Sequence, residues 1–86
     1  MAHSFIILLK EDVSSALRNV ETIITGSGGS FKGDIEKGTF HAHTVAGRIK
    51  GDYRTLSDRE IKITIMDKPF IVPYSMIETE IRKYCE

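Results

Sequence analysis

The chain has 86 residues, enough for one domain with a modest core, so we predict a single domain over residues 1–86. Twelve Lys and Arg residues balance twelve Asp and Glu residues. A nucleic-acid-binding protein normally carries a cationic excess, so we expect no nucleic-acid partner. The single cysteine, Cys85, cannot form an intrachain disulfide. No segment resembles a signal peptide or a membrane-spanning run, and we therefore expect a cytoplasmic protein without a membrane span.

The N-terminal third predicts a strand followed by a helix. Residues 4–10 contain five consecutive apolar side chains, which is typical of a strand with apolar neighbours on both faces. Residues 12–25 repeat apolar side chains at helical spacing, with Asp12 placed to act as the N-cap. The stripe consists of Val13, Leu17, Val20 and Ile24. The glycine-rich residues 26–29 then predict a loop.

Residues 30–66 change to a period of two, which predicts four short antiparallel strands with one apolar and one wet face. The first turn of this meander is expected at Lys37-Gly38. Proline at position 69 ends the ladder, and Phe70-Ile71-Val72 either continues the last strand past a bulge or crosses the core edge. A second helix follows, with Ser75 and Glu78 at the spacing of a capping box.

The complete pattern predicts an α+β fold with the order β-α-β-β-β-β-α. Both amphipathic helices have apolar stripes to bury, and the longest apolar surface in the chain is one face of the sheet. We therefore expect an antiparallel sheet of about five strands with two helices packed on one face.

Four segments carry a resemblance to a known family. They are Gly47-Arg48-Ile49-Lys50-Gly51, the alternating residues 60–65, Lys68-Pro69-Phe70, and residues 77–82. The chain resembles the polyhydroxyalkanoic acid system protein family of small bacterial proteins, which implies a link to storage-polyester metabolism or attachment to granule surfaces. The resemblance implies no catalytic residues. The layout is also similar to a reduced helix-grip fold of the START type, which implies an apolar ligand between helices and sheet.

His41 and His43 are the strongest candidate pair for a chemical site, because side chains two residues apart on a strand point to the same face. They are candidate metal ligands, although zinc sites usually have three or four protein ligands. The other interpretation is two solvated histidines on the wet face. No cofactor is indicated by any motif.

The wet face also carries Arg48, Lys50, Arg54 and Lys62, which favour either a cationic stripe for an anionic partner or pairing with acidic neighbours. The acidic candidates are Asp34, Glu36, Asp52 and Glu60. Because the total charge is balanced, the sequence favours cross-strand pairing of opposite charges.

Two further sets of residues are candidate binding surfaces. The first is an apolar patch that would bind a second copy, a granule or a protein surface, and it consists of Phe5, Ile6, Ile7, Leu8, Leu9, Phe70 and Ile71. The second is a ligand pocket lined by Phe40, Tyr53 and Ile63. No nucleophile–base–orienter pattern is present in the sequence. We therefore predict a non-enzymatic binding or interaction module, with a small apolar-ligand carrier or helix-grip enzyme as the alternative.

Overall fold

The computed structural model describes residues 3–44 and 47–85 and confirms the predicted α+β order. The elements are β1 (His3–Leu8), α1 (Val13–Gly26), β2 (Ser30–Gly33), β3 (Lys37–Thr44), β4 (Gly47–Ser57), β5 (Glu60–Asp67) and α2 (Tyr74–Cys85). Asp12 is the N-cap of α1, as predicted, and its carboxylate accepts a hydrogen bond from the Ser15 amide at 3.2 Å.

The five strands form one antiparallel sheet in the order β1-β5-β4-β3-β2. Strands β2 to β5 are a meander of hairpins, and β1 adds to the free side of β5. Helix α1 carries the chain from β1 at one edge of the sheet to β2 at the other. The two edges are therefore β1, which is first in sequence, and β2.

The core lies between the helices and one face of the sheet, which we call the inner face. Register aligns its side chains across the strands, with Phe5 opposite Ile63, Ile63 opposite Tyr53, and Phe40 opposite Gly51. The helices contribute Val13, Ala16, Leu17 and Ile24 from α1 and Ile77 from α2. Ile7 and Ile65 have no exposed surface, so the centre of the core is on β1 and β5.

Two local expectations about turns and caps are wrong. The β2–β3 turn lies at Asp34, Ile35 and Glu36 rather than at Lys37-Gly38, because the Asp34 carboxylate accepts from the amides of Glu36 and Lys37 at 2.8 and 3.0 Å. The predicted capping box does not form. Helix α2 begins at Tyr74, Ser75 lies inside it, and the Glu78 carboxylate instead bonds His3 at 3.1 Å.

The sequence predicts that residues 70–72 extend a strand or cross the core edge. Only Val72 is buried, and the segment is a turn in which the Val72 amide donates to the Pro69 carbonyl at 3.1 Å. Phe70 and Ile71 point into solvent. Neither of the two sequence interpretations describes these two residues.

Candidate functional site

The face of the sheet opposite the helices, which we call the outer face, carries most of the chain's basic strand residues. Successive side chains of a strand point to opposite faces of the sheet. The residues directly before and after each inward-pointing core residue therefore point to the outer face. Its positive side chains are Lys32, Lys37, Arg48, Lys50, Arg54 and Lys62. All six are exposed.

Three of these cations stand in one row across three strands. Lys37 on β3 lies opposite Arg54 on β4, and Arg54 lies opposite Lys62 on β5. Directly opposed residues on an antiparallel pair have Cβ atoms roughly 4.5–5.5 Å apart, and like charges in that relationship destabilise the sheet. These three residues, which we call the cationic row, are therefore a local concentration of positive charge.

The two histidines extend this pattern toward the other end of the strands. His41 lies opposite Lys50, and His43 lies opposite Arg48. Both imidazoles are on the outer face, and His41 Nδ1 lies 3.4 Å from the Ser30 hydroxyl oxygen. Among residues 3–44 and 47–85 there is no group of three or more side chains suited to hold a metal ion. Neighbouring cations make this pair an unfavourable place for a metal cation.

The four acidic residues expected to neutralise the outer face do not oppose its cations. Asp34 and Glu36 belong to the β2–β3 turn, and Asp52 faces Thr39 and Thr64. Glu60 faces Leu8, and its carboxylate accepts from the Ser57 hydroxyl at 3.0 Å. None of the four is therefore directly opposed to a Lys or Arg across the strands. Asp34 still lies close to the cationic row. Hydrogen bonds from the Lys37 and Glu36 amides, helped by the charge of the Lys37 ammonium, lower its pKa below the ordinary value.

One pair of opposite charge does occur in the register. Asp67, at the end of β5, lies opposite Lys50, next to a shift in the pairing of β4 and β5. Asp67 is not predictable as a partner from the sequence, because the register shift that brings it opposite Lys50 is not visible in the strand pattern. This pair lies at the far end of the strands from the cationic row.

This placement divides the charge of a neutral chain between two sides. The six Lys and Arg side chains of the outer face share the described strands with only three acidic residues, Asp52, Glu60 and Asp67. The described ion pairs lie on the helix side, where Glu78 binds Arg82 at 3.0 Å and Glu80 binds Lys83 at 3.4 Å. Balanced composition therefore hides a cationic face and a predominantly acidic remainder.

Glu78 links α2 to the start of β1. Its carboxylate bonds His3 Nε2 at 3.1 Å and Arg82 Nε at 3.0 Å, and the His3 ring stacks on Tyr74 at 5.0 Å between centroids. The hydrogen bond from His3, followed by that from Arg82, lowers the pKa of Glu78 below its ordinary value of 4.5. This network anchors the helix, and it lies on the opposite side of the sheet from the cationic row.

The structure divides the predicted apolar patch into two parts. Phe5, Ile7 and Leu9 point inward and are buried in the core. Ile6 and Leu8 point to the outer face and are half exposed or more, at 51% and 64%. Phe70 and Ile71 are the most exposed large apolar residues of the described chain, at 96% and 85%. These last four residues are therefore the part of the patch that a partner can reach.

The predicted pocket residues lie in the packed interior. Phe40, Tyr53 and Ile63 are all buried, and the ring of Tyr53 stacks on Phe31 at 5.4 Å between centroids. The Tyr53 hydroxyl donates to the Asp34 carbonyl at 2.6 Å. An open groove of about 560 Å³ lies instead at the end of the sheet near Asp12. It is lined by residues 12–13, 35–37 and 54–58.

Comparisons of the chain with known protein families, with characterised proteins and with solved structures find no match. Neither helix in the described ranges is long and apolar enough to cross a membrane. The cationic row is the feature that sequence analysis missed. The individual basic residues were visible, but their opposition across β3, β4 and β5 depends on the register.

Proposed function

We propose that this protein is a non-enzymatic binding module whose outer face holds an anionic partner. The observation that carries the proposal is the row of Lys37, Arg54 and Lys62, three directly opposed cations with no acidic side chain opposite them in the described strands. Opposed like charges cost stability in the free protein. A bound anion would reduce that cost, because it would add negative charge beside the row.

The rest of the outer face supports an extended anionic surface rather than one small ion. His41–Lys50 and His43–Arg48 continue the basic character along the strands for a further two pairs. Strand residues on one face repeat about every 6.6–6.8 Å, so the cations cover a length that several negative groups would occupy. Exposed Ile6 and Leu8 border this surface at the β1 edge. The partner would thus be anionic and partly apolar.

Attachment to a storage-polyester granule is one setting in which such a surface would act. Its support is the resemblance of the sequence to the polyhydroxyalkanoic acid system proteins, together with the exposed Phe70 and Ile71. The alternative of a carrier or enzyme with a helix-grip pocket has less support. Phe40, Tyr53 and Ile63, which would line that pocket, fill the core instead.

Self-association through β1 is a second candidate, which a separate observation favours. The Leu9 amide bonds the Arg59 carbonyl of the β5 side at 2.7 Å, so strand alternation directs the backbone groups of Ile6 and Leu8 toward the free edge. Natural sheets normally prevent pairing at an edge strand with Lys, Pro or a bulge. Strand β1 has none of these. We propose that a second copy pairs there, strand to strand.

The anionic-partner proposal is tested with inorganic polyphosphate as the probe. We expect salt-sensitive binding to the wild type and at least about tenfold weaker binding to an R54Q/K62Q double variant, with a salt dependence reduced by about one unit of slope for each lost cation. The matched control is Lys10→Gln, which removes an exposed cation beside α1 and α2. Equal binding by all three proteins, or no binding by the wild type, would overturn the proposal.

The edge-pairing proposal is tested by sedimentation of the wild type and of Ile6→Pro. Proline removes the edge-facing amide of Ile6 and leaves the bonds of Phe5 and Ile7 to β5 in place. We expect a concentration-dependent dimer that the proline variant loses, while Ile6→Val, which keeps the amide, retains it. A wild type that stays monomeric at high concentration contradicts edge pairing.

A further inference from the structure

A short turn between β5 and α2 presents two apolar side chains to water. Phe70 and Ile71 are 96% and 85% exposed, although the next residue along the chain is buried. Val72 is 6% exposed, and its amide closes the turn on the Pro69 carbonyl at 3.1 Å. Residues 70 and 71, which we call the apolar tip, are therefore held away from the core by the backbone of the turn and by the buried valine.

The apolar tip adjoins the basic end of the outer face. A Cβ atom at Gly47 would lie 2.6 Å from Pro69 Cγ, so the base of the tip is packed closely against the first residue of β4. The next residue, Arg48, faces His43 in the last basic pair of the outer face. Lys68 precedes the tip, with its ammonium 4.8 Å from the centroid of the Tyr74 ring. Basic residues thus lie near the base of the apolar tip, and so does Asp67, whose carboxylate accepts a hydrogen bond from the Lys68 amide at 3.0 Å.

We propose that Phe70 and Ile71 insert into the headgroup region of an anionic phospholipid surface, while the cations of the outer face contact its phosphates. This inference rests on the proposed function and names its partner. A lipid layer is the occupant that offers negative charge at its surface and an apolar phase just beneath it. Exposed aromatic and aliphatic side chains beside basic ones match both parts of that layer.

The composition of the outer face argues against a single-stranded nucleic acid as the partner. Single strands are held by stacking bases on aromatic rings, and the described outer face carries no Phe, Tyr or Trp. Its large apolar members are aliphatic, namely Ile6, Leu8 and Met66, and each is at least half exposed. Transfer of aliphatic side chains from water into a hydrocarbon phase is favourable in free energy, whereas contact with a phosphate backbone stabilises them little.

The experiment uses vesicles of equimolar phosphatidylglycerol and phosphatidylcholine. The chain contains no tryptophan, so Phe70→Trp places a single fluorescent reporter at the apolar tip. We expect its emission to shift to shorter wavelength on vesicle addition and to be quenched by lipids with brominated chains. Sedimentation should show F70S/I71S binding at least about tenfold more weakly than the wild type, because two apolar insertions are lost. Ile35→Ser, in the exposed β2–β3 turn, is the matched control and should bind normally.

The outcomes separate this inference from the proposed function. Vesicle binding that survives in F70S/I71S but is lost in R54Q/K62Q would overturn the insertion and leave the anionic-partner proposal standing. A wild type that binds neither vesicles nor polyphosphate would overturn both the insertion and the anionic-partner proposal. A blue shift of the Phe70→Trp variant that depends on protein concentration without vesicles would assign the tip to a contact between copies and would also overturn insertion. Binding to DNA but not to vesicles would overturn the lipid partner.

Discussion

Arg54 and Lys62 face each other directly across β4 and β5, and Lys37 faces Arg54 from the other side. None of the three makes an ion pair within 4 Å of a described residue, and only the Lys37 charge contributes to lowering the pKa of a described carboxylate, that of Asp34. Three opposed cations in a protein without net charge are a cost that folding alone does not require. Their arrangement is consistent with binding, because a partner's negative charge would offset the repulsion.

The first prediction concerns stability in the absence of a partner. Arg54→Gln removes the cation with two positive neighbours, so we expect the free energy of unfolding to rise by about 0.5 kcal/mol at low salt. The gain should shrink at high salt because repulsion between exposed charges is screened. Urea denaturation at two salt concentrations measures this. Lys83→Gln, which removes the partner of Glu80 on α2, should show no such gain.

The second prediction concerns the hydroxyl of Tyr53. Its side chain is buried and donates to the Asp34 carbonyl at 2.6 Å, which ties the centre of the sheet to the β2–β3 turn. Burial raises the pKa of Tyr53 above its ordinary value of 10.0, so the group stays protonated as a donor near neutral pH. Tyr53→Phe should lower the free energy of unfolding by about 1 kcal/mol. An unchanged urea midpoint would contradict a structural role for this bond.

The third prediction concerns acid stability. The pKa of Glu78 is lowered in the folded protein by hydrogen bonds from His3 and Arg82. A carboxyl group with a depressed folded pKa contributes stability above its ordinary value, and that contribution is lost as pH falls through the folded pKa. The wild type should therefore lose more stability than Glu78→Gln between about pH 5 and about pH 3. Thermal unfolding at several pH values measures the difference, and parallel curves for the two proteins contradict it.

The fourth prediction concerns the close packing of β3 and β5 around Gly51 of β4. A Cβ atom at Gly51 would lie 2.6 Å from the Thr64 carbonyl oxygen and 2.7 Å from Phe40 Cζ. Gly51→Ala should therefore destabilise the fold by about 1–3 kcal/mol through overpacking. Gly26→Ala is the control, because a Cβ atom there meets nothing within 4 Å. Urea unfolding of both variants tests the contrast.

The fifth prediction concerns the histidine pair of the outer face. Lys50 and Arg48 lie opposite His41 and His43, so a zinc ion would be placed beside two positive charges. We expect addition of zinc to leave both the unfolding midpoint and the imidazole resonances unchanged. A shift in those resonances that His41→Ala and His43→Ala each abolish would instead establish a metal site.

The sequence by itself determined the order of elements and the two faces of the sheet. Period-two alternation and helical stripes are local properties of the chain, and burial of one face follows directly from them. The N-cap at Asp12 was predictable for the same reason, since the residue that bonds it, Ser15, is only three positions away. The ion pair of Glu78 with Arg82 is also short in sequence, but the bond from His3 spans 75 positions.

Only the tertiary structure decided which charges meet and which apolar residues remain exposed. Register between strands depends on turn positions, and the first turn lies at residues 34–36, so Asp34 and Glu36 are turn residues rather than strand residues that oppose a cation. The exposed Phe70 and Ile71 likewise belong to a turn whose Pro69 lies close to Gly47, a contact between distant segments. The opposed cations and the exposed apolar tip arise from the way in which pairs of elements pack together. Composition counts residues over the whole chain and carries no information about these pairs. A balanced charge count therefore did not reveal the cationic face.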